Sequence, residues 1–148
     1  MNIAPSKINI DWQCRKTWGR ASYNTMWCLI GCSIGDMGTI AYFQYSTHAL
    51  PTITVMIIAI INGLLTSIIL ETIILFKHMT LSNAFKTACG MSLISMISME
   101  IAMNVLDVAL TGGARLTLLA IPLMLIAGFL TPLPYNYWRL KALGKSCH

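Results

Sequence analysis

Residues 50–76 read LPTITVMIIAIINGLLTSIILETIILF and contain a single charged side chain, Glu71. A helix needs about 20 mostly apolar residues to cross the hydrocarbon core of a bilayer, and this stretch is longer than that. Pro51 is compatible with the first turn of such a helix, because the N–H that proline lacks would have no helical partner there. The stretch therefore predicts a transmembrane helix.

Three further apolar stretches are long enough to cross a membrane. They cover residues 24–45, 84–110 and 116–135. Short connections favour antiparallel neighbours, so we expect an all-α integral membrane bundle of four transmembrane helices over residues 24–138. In the last of them, Pro122, Pro132 and Pro134 predict a kink or an end near Thr131, since proline interrupts a helical hydrogen-bond ladder.

The composition supports lipid as the surrounding solvent. Of 148 residues, 56% are hydrophobic and only 10% are charged, whereas a soluble domain carries about 25% charged residues. The net charge is +5, but none of the sequence motifs of nucleic-acid-binding proteins is present. We therefore expect the protein to be embedded in a lipid bilayer, and we do not expect it to bind nucleic acid.

The two ends of the chain differ from the apolar middle. Residues 1–23 alternate Ile and Trp with charged side chains, which is typical of an interfacial segment, and residues 139–148 form a basic tail. With four crossings, nine cations fall on one side and only Arg115 on the other; the nine are Lys7, Arg15, Lys16, Arg20, Lys77, Lys86, Arg139, Lys141 and Lys145. The positive-inside rule then predicts a cell-membrane protein with both termini in the cytoplasm.

The acidic residues are concentrated inside the predicted spans. Four of the five lie there: Asp36, Glu71, Glu100 and Asp107. Each costs at least a few kcal/mol in a bilayer, so each needs a partner or a function. On the third helix, one arc of about 60° carries the following side chains, with Asn104 beside it: Cys89, Met96, Glu100, Met103 and Asp107. We call Asp36, Glu100, Asn104 and Asp107 the polar seam.

The first helix carries a matching set. Cys28, Cys32 and Asp36 follow one another at intervals of four residues, which keeps them on one side of a helix. Gly31 and Gly35 form a G-x-x-x-G pair beside them. Such a pair allows a second membrane helix to pack closely, so we expect helix packing there.

Three interpretations of these residues are open. The polar seam can hold helices together through hydrogen bonds. Alternatively, thiols and thioethers suit a soft metal such as Cu(I), and the candidate ligands are Cys28, Cys32, Met96, Met99 and Met103 with Asp36 or Glu100. The third interpretation is a proton or ion relay through Asp36 and Glu100.

No motif of a catalytic nucleophile, phosphate loop or zinc protease is present, and we do not expect enzyme activity from this chain alone. The sequence favours a small non-catalytic accessory subunit of a larger membrane complex, containing other membrane subunits. Its Met and Cys content suits a copper-dependent or redox membrane enzyme, such as a monooxygenase or oxidase, with copper as the candidate cofactor. The alternative is an independent, homo-oligomeric transporter or binder of soft metal ions.

Three stretches resemble a known membrane family. They are Cys28–Asp36 (CLIGCSIGD), Met99-Glu100 with Asn104, and Pro134–Trp138 (PYNYW) followed by basic residues. Over roughly residues 18–146 the chain resembles the family of the domain of unknown function 4396. The resemblance implies a compact helical membrane domain in which Cys32, Asp36, Glu100 and Asn104 share a polar centre, and it implies no particular activity.

Overall fold

Five α-helices make up most of the part of the protein that the structure describes. A computed structural model describes residues 11–47 and 49–142, apart from the side chain of Met91, and the regular elements in these ranges are all α-helices. They are α1 (Arg15–Tyr45), α2 (Thr52–Phe76), α3 (Leu81–Thr111), α4 (Ala120–Leu130) and α5 (Leu133–Ala142). The all-α prediction is confirmed. Residues 1–10 of the predicted interfacial segment and residues 143–148 of the predicted basic tail lie outside the described residues.

Within the described part of the chain, three helices are long and apolar enough to cross a membrane: α1, α2 and residues Ser92–Thr111 of α3. The outer face of α2 shows why, because it exposes a large aliphatic side chain at every fourth position: Ile53, Ile57, Ile61, Leu65, Ile69 and Ile73. Side chains four residues apart form one stripe on a helix. A stripe of this kind is stable against lipid chains and costly against water.

The first helix begins at Arg15, nine residues before the predicted start at Asn24. The cause is aromatic packing against α5. The ring of Tyr137 lies 4.4 Å from that of Trp18 and 5.1 Å from that of Trp12, and its hydroxyl donates a hydrogen bond to the carbonyl oxygen of Asp11. These contacts bury Tyr137 completely and stabilise the additional turns of α1, which hydropathy alone does not predict.

The stretch predicted as a fourth span is divided into two short helices. α4 has 11 residues and α5 has 10, so neither reaches the length of a crossing by itself. The predicted break near Thr131 is present, because Pro132 and Pro134 have no N–H to donate to the preceding turn. Residues 116–135 therefore do not form one continuous helix.

The order of the helices places the polar seam in the interior. α1 packs against α2, α2 against α3, and α3 against α4, while α5 returns to α1. α3 is capped by Gly112, which adopts φ 74° and donates its N–H to the carbonyl oxygen of Val108 at 2.9 Å. This left-handed cap suits glycine because a Cβ is unfavourable there. The chain then turns back, and α4 packs against α3 before α5 reaches α1.

Candidate functional site

The first two helices approach closely beside the site. A Cβ placed on Gly31 would lie 2.7 Å from the Cα of Ser67, and one placed on Gly35 would overlap the backbone of Asn62. The short separation lets α2 side chains reach the α1 backbone. Thr66 donates to the carbonyl oxygen of Gly31 at 2.7 Å, and Ser67 donates to that of Cys28 at 3.2 Å. Small residues thus bring two membrane helices within hydrogen-bond reach of each other.

Asn104 connects the two acids at the centre of the polar seam. Its Nδ2 donates to Oδ1 of Asp36 and to the backbone carbonyl oxygen of Glu100, both at 3.0 Å. Asp36 and Glu100 are 0% exposed and Asn104 is 1% exposed. The structure therefore brings three residues of the seam, from α1 and α3, into one enclosed cluster.

Glu100 is held against a glycine. A Cβ on Gly63 of α2 would overlap the Glu100 carboxylate and would lie 3.1 Å from the carbonyl oxygen of Cys32. The absence of a side chain at residue 63 creates the space that the carboxylate occupies. Gly63 is not among the site residues predicted from the sequence, although an isolated glycine within a long apolar run often marks a close approach.

Several polar atoms of this cluster have no hydrogen-bond partner among residues 11–47 and 49–142. They are Oδ2 of Asp36, Oε1 and Oε2 of Glu100, and Oδ1 of Asn104. The Cys32 thiol lies beside Glu100 without the geometry of a hydrogen bond. Buried polar groups normally find a partner, so four unpartnered oxygens in one place are unusual.

The sulfur-bearing side chains form a neighbouring layer. Seven buried residues make up one apolar cluster: Cys28, Cys32, Met96, Met99, Met103, Ala120 and Met124. Cys28 and Cys32 are free thiols, and each faces the other along α1. The predicted soft ligands are thus placed together, while the Asp36 carboxylate is held by Asn104 at the adjoining polar cluster.

A hydroxyl of α3 contacts an acid near the C-terminal end of α2. Ser92 of α3 donates to Oε1 of Glu71 at 2.7 Å. Arg139 of α5 faces Glu71, and its Nε and Nη1 are buried without a hydrogen-bond partner. The sequence predicts Arg139 only as a cation of the basic tail, because the return of α5 onto α1 depends on tertiary packing.

Asp107 lies at the end of α3 and has partners on both oxygens. The backbone N–H of Arg115 donates to Oδ2 at 3.0 Å, and the Thr111 hydroxyl donates to Oδ1 at 3.3 Å. Asp107 therefore ties the loop after α3 to the helix. It belongs to the predicted seam by helix face, but its contacts differ from those of Glu100.

The chemistry available to the site is that of buried oxygen and sulfur donors. Within residues 11–47 and 49–142, no three His, Cys, Asp or Glu side chains lie close enough together to hold a metal ion. A soft-metal site would therefore take its two thiols from Cys28 and Cys32 and its remaining ligands from methionine sulfur.

Comparison with known proteins identifies the family. No curated protein matches the chain, and no solved structure does. The family described as a domain of unknown function (DUF4396) matches residues 17–145, which include every residue of the central cluster. The chain therefore belongs to the DUF4396 family.

Proposed function

We propose that this chain is a small, non-catalytic accessory subunit of a larger membrane protein complex. The observation that carries the proposal is the use of polar side chains to join helices. Asn104 links α3 to α1, Ser92 links α3 to α2, and Asn62 links α2 to Thr39 of α1. Hydrogen bonds between membrane helices stabilise their association. Such an arrangement suits a rigid subunit that supports others.

The proposal includes a fourth crossing made by α4 and α5 together. At one end, the N–H of Leu116 donates to Oε1 of Gln44 at 2.9 Å. At the other end, Nδ2 of Asn136 donates to the Thr25 hydroxyl at 2.7 Å. Thr25 and Gln44 are 19 residues apart on α1, a rise of about 28 Å, close to the thickness of a hydrocarbon core. The broken pair thus covers the same depth as a single span.

Four crossings support a cytoplasmic location for both termini. The cations then divide nine to one between the two sides, with Arg115 alone on the outer side. A bias of this size is typical of a fixed orientation. A cysteine-accessibility or protease-protection assay with a tag at each terminus tests it, and a tag reached only from outside intact cells would contradict it.

The decisive experiment is the native size of the particle. Source membranes are solubilised in a mild detergent and separated by blue-native electrophoresis, and the proteins that comigrate are quantified. We expect a stoichiometric hetero-complex, with a copper-dependent or redox enzyme as the class that its Met and Cys content suits. A homo-oligomer alone in its micelle would contradict the accessory-subunit proposal.

A second candidate function, a homo-oligomeric binder or transporter of soft metal ions, is favoured by one observation. Cys28, Cys32 and four methionines share one buried cluster. The test is the copper content per chain after loading with Cu(I), for the wild type and for Cys32→Ser. Cys89→Ser is the matched control, because Cys89 is a free thiol outside this cluster. Equal copper in all three proteins would exclude the site.

A further inference from the structure

The unpartnered atoms at the centre of the bundle share one property. Oδ2 of Asp36, both carboxylate oxygens of Glu100 and Oδ1 of Asn104 are all acceptors when the carboxyls are ionised. The one amide donor of the cluster, Nδ2 of Asn104, is already used by Asp36 and by the Glu100 backbone. The cluster therefore has an excess of hydrogen-bond acceptors and lacks donors and positive charge.

The neighbouring groups among the described residues do not supply that charge. The titratable groups that face Glu100 are Asp36, Cys32 and Cys28. Asp107, which lies on α3 as Glu100 does, faces Asp36 of α1. All of them are neutral or negative. α2 contributes Gly63 at this point, and α4 contributes Met124 and Gly128 to the same region. Two buried carboxylates without a cation are far too costly to persist, so a positive species must accompany them.

The cluster lies deep in the bundle. Gly63, which contacts Glu100, is close to the middle of the 25 residues of α2. Water would have to cross about half of the hydrocarbon thickness to reach it. Solvent screening therefore does not replace a bound positive charge at this depth.

We infer that Asp36, Glu100 and Asn104 form a buried binding site for a small hard cation, a proton or an alkali-metal ion. Carboxylate and amide oxygens are the ligands that hard cations prefer, whereas the thiols and thioethers alongside suit soft metals. Asn104 provides the observation that is independent of the acids, since it is 1% exposed and its Oδ1 is unpartnered within the cluster. The site is independent of whether the chain is an accessory subunit.

The test uses the purified full-length chain in detergent micelles. Thermal unfolding is followed while NaCl or KCl replaces choline chloride at constant ionic strength. An alkali-metal site predicts that one of the two ions raises Tm in the wild type, since a ligand that binds only the folded state stabilises it. Glu100→Gln should lower the apparent affinity for that ion roughly 10- to 100-fold. Asp107→Asn should change it far less, because Asp107 faces Asp36 but is not one of the proposed ligands.

Infrared spectroscopy at neutral pH in choline buffer distinguishes the proton from the metal ion. If protons fill the site, no alkali ion affects Tm, and the wild type shows a carbonyl band of a buried carboxylic acid that Glu100→Gln or Asp36→Asn removes. The Asp36 variant provides a second readout if the Glu100 variant does not fold. Two results would overturn the inference. One is a Tm that responds to neither Na⁺ nor K⁺ together with no carboxylic-acid band assigned to Glu100 or Asp36. The other is an ion effect on Tm that both Glu100→Gln and Asp36→Asn retain.

Discussion

Glu100 and Asp107 lie on the same face of α3, seven residues apart, and both are buried, yet their surroundings are opposite. Asp107 accepts hydrogen bonds on both oxygens, from the Arg115 backbone and from Thr111. Glu100 accepts none. Of two carboxylates on the same face of one helix, one is thus hydrogen-bonded and the other is not.

The difference follows from their depth. Asp107 is four residues from the end of α3, where the chain turns and its backbone N–H groups are not used by a helix. Those N–H groups can reach the carboxylate. Glu100 lies where the neighbouring backbones are helical and their N–H groups are already paired. An acid near a helix end can be satisfied by the fold itself, but an acid in the middle of a bundle requires a side chain, a proton or an ion.

The largest effect that we predict comes from filling the space that Glu100 occupies. Gly63→Leu would place a side chain where the carboxylate now lies and close to the Cys32 carbonyl oxygen. Overpacking of this kind costs about 3 kcal/mol, and here it also displaces a buried acid. Thermal unfolding in detergent should show a clear loss of stability.

Gly90→Leu is the matched control for this substitution. A Cβ on Gly90 meets nothing within 4 Å, and the residue is exposed on α3. Leucine also forms helix more readily than glycine does, so this variant should be as stable as the wild type or slightly more stable. If Gly63→Leu were equally harmless, Glu100 would not be held against α2 as described.

A smaller loss is expected at Asp107. Asp107→Ala removes two hydrogen bonds and leaves the Arg115 N–H and the Thr111 hydroxyl without this acceptor. We expect a decrease in the free energy of unfolding of about 1–2 kcal/mol. Asp107→Asn keeps an acceptor oxygen and should lose less. Equal losses in the two variants would show that the negative charge, and not the hydrogen bonds, holds the loop.

Much of the fold was predictable because hydropathy reports long helices directly. The ends of α2 and α3 lie within three residues of their predicted positions. The early start of α1 and the return of α5 were not predictable in the same way. They depend on the packing of Tyr137 against Trp12 and Trp18, which are about 120 residues away in sequence.

Part of the site was predictable for a similar reason. Helical spacing placed Glu100, Asn104 and Asp107 on one side of α3, and the structure has all three buried. Periodicity cannot show which acid receives a hydrogen bond, since that depends on the loop at residue 115 and on the space beside Gly63. The difference between Glu100 and Asp107 therefore appears only in three dimensions.

The smallest effect is expected at Glu100 itself. Glu100→Gln keeps the shape of the side chain and introduces a permanent NH₂ group among unpartnered acceptors of Asp36 and Asn104. In choline buffer the wild type can supply such a donor only by binding a proton. We therefore expect the free energy of unfolding of the variant to stay within about 0.5 kcal/mol of the wild type or to increase. The appropriate measurement is thermal unfolding of Glu100→Gln and Asp107→Asn under the same conditions. Since the oxygens of Asp107 are already satisfied, its amide variant can only lose contacts, whereas that of Glu100 can gain them. A large loss at Glu100 and none at Asp107 would reverse the comparison and would make Glu100 a structural contact of the bundle.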